Sequence, residues 1–67
     1  MDDTLKKLGE RIRLLRIEKG WSQEFLSFEA DVNKNYISDL ERGRRNPTVK
    51  LLIKLAEALE VKLVDLL

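Results

Sequence analysis

Apolar residues in this chain recur at spacings of three and four and are then cut off by a glycine or a capping residue, and this pattern constrains the fold most. Leu5, Leu8, Ile12 and Leu15 lie on one stripe of a helix from about Thr4 to Lys19, and Gly20 stops it. Trp21 enters the next turn. The Ser22 hydroxyl can accept free backbone N–H groups at the start of a second, short helix, Gln23 to Ala30. Asp31 and Val32 make a tight connection, and Asn33 caps a third helix from Lys34 to Arg42 with Ile37 and Leu40 as its buried stripe. Gly43 ends that helix. Arg44-Arg45-Asn46-Pro47 is a polar loop, and Thr48 caps a fourth helix whose Val49, Leu52, Leu55, Ala56 and Leu59 share a face. Leu63, Leu66 and Leu67 crowd into a last helical turn. No strand-like alternation or internal repeat is present, so the expected class is all-α, with five helices in a single domain over residues 1–67.

Composition then removes whole classes of chemistry. A chain of 67 residues has room for one core and no second catalytic or sensing domain. It has no cysteine and no histidine, so thiolate nucleophiles, imidazole bases and the usual zinc ligands are absent; no metal and no cofactor is expected. Carboxylates alone could hold magnesium, but a domain this small rarely builds the deep pocket that shifts their acidity, and the chain reads as a non-enzyme. The longest apolar stretch is far short of the roughly 20 residues that span a bilayer. Met1-Asp2-Asp3 is acidic where a secretory leader is basic, so a cytoplasmic protein without a membrane partner is expected.

The formal charge is only +1, but it is unevenly spread. Between Lys34 and Lys50 the basic residues Lys34, Arg42, Arg44, Arg45 and Lys50 face only Asp39 and Glu41, while Glu24, Glu29 and Asp31 precede that stretch without a basic partner. At about 100° per residue, Ile37 and Leu40 centre one side of the third helix. Asn35, Ser38, Asp39 and Arg42 centre the other, with Lys34 at its edge. Two short helices joined by a brief turn, the second polar on its outer side, form an arrangement that lets one helix enter the major groove of DNA. Asparagine can pair with adenine, lysine can donate to guanine and aspartate can accept from cytosine. Taken alone, the same face reads more readily as a solvated helix surface than as a base reader.

The segments Leu8-Gly9-Glu10-Arg11-Ile12-Arg13, Lys19-Gly20-Trp21-Ser22-Gln23-Glu24, Asn35-Tyr36-Ile37-Ser38, Leu40-Glu41-Arg42-Gly43 and Leu55-Ala56-Glu57-Ala58-Leu59 carry a resemblance. In that order they resemble the repressor and Cro type of helix-turn-helix family, often called XRE, over nearly the whole chain. The resemblance implies a compact five-helix bundle of the lambda-repressor-like type that binds double-stranded DNA. It implies that Gln23 bonds a phosphate and that Lys34, Asn35 and Asp39 read bases; for Asp39, a carboxylate repelled by phosphate, the alternative is to act only by excluding wrong sequences. Tyr36 and Ser38 then contact the DNA backbone, Asn33 and Arg42 join the DNA-binding set, and Arg44, Arg45 and Asn46 form a loop that meets phosphate; Tyr36 can equally be half-core. The run from Tyr36 to Asn46 is most similar to controller proteins of restriction-modification systems. Phage-type repressors and antitoxins are the near alternatives. A homodimeric transcriptional regulator on a pseudo-palindromic operator is implied, with RNA polymerase as a further candidate partner.

Arg16 falls within the apolar arc of the first helix, about 40° from Ile12, and Glu41 lies about 40° from Ile37 on the third. A buried structural ion pair Arg16–Glu41 follows, and the resemblance supports it; two separate surface charges are the alternative. Where the family usually has glycine, this chain has Asp31 and Glu60, which then must take a positive φ. Leu14, Ile17, Phe25 and Phe28 are expected as partly buried satellites of the core; the rival is a partner surface, which would make the chain a protein-interaction module. At the C-terminal end Val61, Leu63 and Leu66 are expected inward, and Val64 and Leu67, helped by Leu51, at a dimer interface.

Overall fold

A computed structural model of the chain describes residues 3–67; Met1 and Asp2 of the acidic start lie outside the described residues. The elements follow the caps. Helix α1 runs Thr4–Glu18, α2 Gln23–Ala30, α3 Lys34–Glu41 and α4 Val49–Leu59, and a short 3₁₀ turn occupies Leu63–Leu66. Ser22 Oγ accepts from the Phe25 N–H at 3.0 Å, and Thr48 Oγ1 accepts from the Leu51 N–H at 3.1 Å. Each cap satisfies an N–H that the first helical turn cannot pair internally.

Helices α2 and α4 end alike. Asp31 and Glu60 take φ of 55° and 60°, the left-handed conformation, and the next N–H turns back: Val32 to Ser27 O and Val61 to Ala56 O, both at 2.9 Å. Val32 and Val61 then pack against the core, the apolar contact that accompanies this kind of helix end. The fifth helix expected from the sequence is instead a single 3₁₀ turn, and the described residues hold four α-helices. Asp65 N–H bonds Lys62 O at 2.9 Å and Leu67 N–H bonds Val64 O at 3.1 Å. A segment this short closes through such three-residue bonds more readily than through the longer α-helical ring.

One core joins the elements. Ile12, Leu26, Ile37, Leu40, Leu55 and Leu66 are fully buried, and each such side chain contributes about 1.5–3 kcal/mol. Leu8, Leu15, Trp21, Tyr36 and Leu63 pack around them. Ser27, the buried hydroxyl of α2, donates to Glu24 O at 2.6 Å, so its polar atom is paired within its own helix. Val49 does not share the buried face expected of it: it sits in the first turn of α4, beyond the reach of the core, and is 63% exposed. Of the four residues expected as partly buried satellites, Phe28 departs from expectation at 78% exposure, whereas Leu14, Ile17 and Phe25 are 43–46% exposed and Phe25 meets the Trp21 ring edge-on at 4.9 Å.

α1 crosses close to the end of α3. A methyl on Gly9 would collide with the Leu40 carbonyl oxygen and come within 2.8 Å of that of Glu41, so the glycine permits this approach. Gly43, at φ 77°, closes α3 against Lys6, whose Cα a side chain here would meet at 2.8 Å.

Candidate nucleic-acid interface

The α2–α3 pair is held from beneath by one buried polar node. Arg16 Nε donates to Glu41 Oε2 at 2.7 Å, and its Nη2 to Glu41 Oε1 at 3.0 Å, a two-pronged pair with side chains 12% and 2% exposed. Arg16 Nη1 donates to the Trp21 carbonyl at 2.7 Å, and Gln23 Nε2 donates to Glu41 Oε1 at 3.0 Å. The node therefore fastens the last turn of α1, the start of α2 and the end of α3 at one carboxylate. Among the described residues no buried side-chain nitrogen or oxygen lacks a partner, so the cost of burying these charges is met by hydrogen bonds. Sequence reasoning placed Gln23 on phosphate and missed its bond to Glu41. That bond depends on how α2 meets α3, which residue spacing does not encode.

α3 then presents its other side. Asn33 Oδ1 accepts from the N–H groups of Asn35 at 2.7 Å and Tyr36 at 3.3 Å, which fixes where the helix begins. Ile37 and Leu40 are fully buried beneath, Lys34, Asn35 and Arg42 are exposed, and Ser38 and Asp39 are half-buried. Tyr36 packs partly on the core and keeps an accessible ring. The loop after α3 is drawn back to that helix: Arg44 N–H bonds Asp39 O at 2.9 Å. Arg45 Nη2 lies 3.5 Å from Asp39 Oδ2, and its guanidinium sits over the Tyr36 ring, 5.1 Å from the centroid. Arg44 and Asn46 are exposed beside them, and Asn46 borders a shallow depression with Val32, Asn33, Tyr36, Thr48 and Leu51.

The structure thus brings Lys34, Asn35, Ser38, Asp39, Arg42 and Arg45 to one helix face and its adjoining loop. Sequence spacing does not reveal the Arg45–Tyr36 stack, because a loop's return path leaves no periodic trace. The three residues named for a dimer contact are not gathered in one depression: Leu51 borders the one beside Tyr36, and Leu67 lines a groove with Thr4, Lys7, Leu8 and Leu66. Val64 and Leu67 are 68% and 80% exposed, and α4 adds exposed Val49 and Ile53. Elsewhere, Lys19 Nζ lies 2.9 Å from Glu60 Oε1 and over the Trp21 ring. That hydrogen bond, and then the charge of Lys19, hold the Glu60 carboxyl below its ordinary range. Among the described residues no cluster of acidic side chains could hold a metal ion, and no helix is long and apolar enough to cross a membrane.

Comparison with known proteins places this geometry. The HTH-type transcriptional regulator y4dJ of Sinorhizobium fredii, itself uncharacterised, is 47% identical over 64 residues, which is 96% of this chain and 83% of that protein. The crystal structure of the restriction-modification controller protein C.AhdI from Aeromonas hydrophila superposes with a TM-score of 0.92 at 41% identity, covering 94% of this chain and 96% of that one. The controller protein C.Esp1396I, solved as a tetramer in complex with its natural 35 base-pair operator, superposes with a TM-score of 0.89 at 36% identity over 98% of this chain and 87% of that one. The helix-turn-helix family model matches residues 12–66, a span that takes in the buried node, the capped α3 and the α4 that packs behind them, and the chain belongs to that family.

Proposed function

We propose that the chain is a sequence-specific, double-stranded DNA-binding transcriptional regulator, and that it acts as a restriction-modification controller or a phage-type repressor. The observation that carries this reading is the capped α3, whose polar, partly basic face stands outward while its opposite face is locked into the core. Lys34 and Asn35 meet base edges in the major groove, with Ser38 and Arg42 alongside. Gln23, Asn33, Arg44 and Asn46 hold the phosphates on either side. A relative bound to its operator supports the choice of ligand. Regulators of this family act by binding, and the chain is not an enzyme.

A single α3 contacts too few base pairs to select one site in a genome, so a second copy is required. Two copies join through exposed Val64 and Leu67 at the C-terminal end, with half-buried Leu51 of α4 adding to the contact, and place two α3 helices about 34 Å apart on successive major grooves. The chain works as one domain over residues 1–67, in the cytoplasm, with RNA polymerase as a further partner where its operator adjoins a promoter. Titration of duplex DNA at increasing salt tests the reading. The affinity falls on a log–log plot with a slope of about 0.9 per phosphate neutralised. A protein-interaction module would show weak, sequence-blind association with DNA and an apolar partner contact that salt hardly changes.

A further inference from the structure

Arg45 and Asp39 stand in a relation that the proposed function leaves unexplained. A carboxylate on the helix face turned to DNA is repelled by phosphate, and an exposed ion pair at 3.5 Å contributes little to stability. Asp39 nevertheless lies on that face, beside Asn35 and half-buried. Its carboxylate meets Arg45, the loop behind is tied to its backbone through Arg44 N–H at 2.9 Å, and the guanidinium lies over the Tyr36 ring, 5.1 Å from its centroid. Two contacts from α3 therefore meet the Arg45 side chain at the Asp39–Tyr36 edge of the reading face, and a third ties down the residue before it.

We infer that Arg45 is a base-reading residue, and that Asp39 and Tyr36 are positioning residues that hold its guanidinium for a guanine. The inference rests on the DNA-binding function proposed above and names a recognition contact within it. Asp39 engages one hydrogen on Nη2, and of the five N–H donors of arginine a planar pair remains to meet guanine O6 and N7. The two contacts bias the direction of the guanidinium before DNA arrives, which favours a directed contact over a diffuse attraction to phosphate. Pairing with Arg45 also cancels the charge that makes a lone Asp39 unfavourable near the backbone.

The test is selection of duplexes from a random DNA pool by the full chain and by Arg45→Ala, Arg45→Lys and Asp39→Ala, with thermal melting of each variant in parallel. All four melt alike, because the altered groups are exposed or half-buried. Wild type selects a guanine at one position of each half-site. Arg45→Ala loses roughly 5- to 150-fold of the discrimination at that position. Arg45→Lys loses the same preference while keeping more of the affinity for arbitrary DNA, since it retains charge without the planar fork. Asp39→Ala relaxes that same position and no other. Two results overturn the inference while leaving DNA recognition intact: a selected motif that Arg45→Ala does not change, or relaxation by Asp39→Ala at a different position, which would make Asp39 a reader in its own right. A wild-type chain that selects no motif overturns the proposed function, and the inference with it.

Discussion

Two arginine–carboxylate pairs sit on opposite sides of α3, and they differ in almost every respect but chemistry. Arg16 and Glu41 meet through two bonds of 2.7 and 3.0 Å in a site where Glu41 is 2% exposed, with Trp21 O and Gln23 completing the set. Arg45 and Asp39 meet through one contact of 3.5 Å with side chains 51% and 34% exposed. Water screens the second pair and is excluded from the first. Burial therefore turns one pair into a structural fastening and leaves the other as an adjustable surface device. Beneath α3 the arrangement must hold whether or not DNA is present; above it, the side chains have only to be aimed.

The largest expected effect breaks the buried side of this contrast. Arg16→Met leaves the Glu41 carboxylate buried with Gln23 as its remaining side-chain donor, and chemical denaturation should show a loss of about 3–5 kcal/mol. Stability near that of wild type would place the node at the surface in energetic terms, whatever its geometry. On the other side, Arg45→Ala should cost less than about 1 kcal/mol of stability in the same assay while changing the DNA motif. A cost as large as that of Arg16→Met would abolish the distinction between the pairs.

The smallest effect concerns pH and sharpens the exposed case. Glu60 is exposed, and its carboxyl is held below its ordinary range by the Lys19 hydrogen bond and then by the Lys19 charge. As pH falls, the unfolded chain protonates this group first. The pair's contribution is thus fully present above the ordinary glutamate range and is lost as pH falls through the lowered value. Acid titration of Lys19→Met, followed by thermal melting, should show a slightly flatter fall in stability over that window than wild type. An unchanged curve would mean that the exposed pair is silent even in acid.

The parts of this fold that were legible in the sequence are those decided by neighbouring residues. Ser22, Asn33 and Thr48 mark helix starts because a cap reaches only two or three residues onward, and the expected Gln23–Ala30 helix is the one observed. The positive φ of Asp31 and Glu60 was legible only through the family resemblance, since neither residue type announces it. Periodicity assigned Ile37 and Leu40 to the core, but it could not see where the core stops. Val49 has the right phase and lies one turn too far along. Phe28 was misjudged for the converse reason: its apolar character suggested cover that no neighbouring element supplies. The last turn was expected as a helix because apolar spacing does not distinguish an α-helix from a single 3₁₀ turn. The stack of Arg45 on Tyr36 and the reach of Gln23 to Glu41 depend on how a loop returns and how two helices meet, and neither distance is encoded in spacing.

The central claim is that the outer face of α3 reads bases, and the most direct measurement compares wild type with Asn35→Ala on the site selected by wild type and on its single-base variants. Asn35 is exposed and its side chain has no role in the core, so folding should be unaffected. The account predicts that Asn35→Ala binds the selected site more weakly by about 1–3 kcal/mol and stops distinguishing bases at one position of each half-site, with every other position unchanged. Identical base preferences for the two proteins at every position would contradict it.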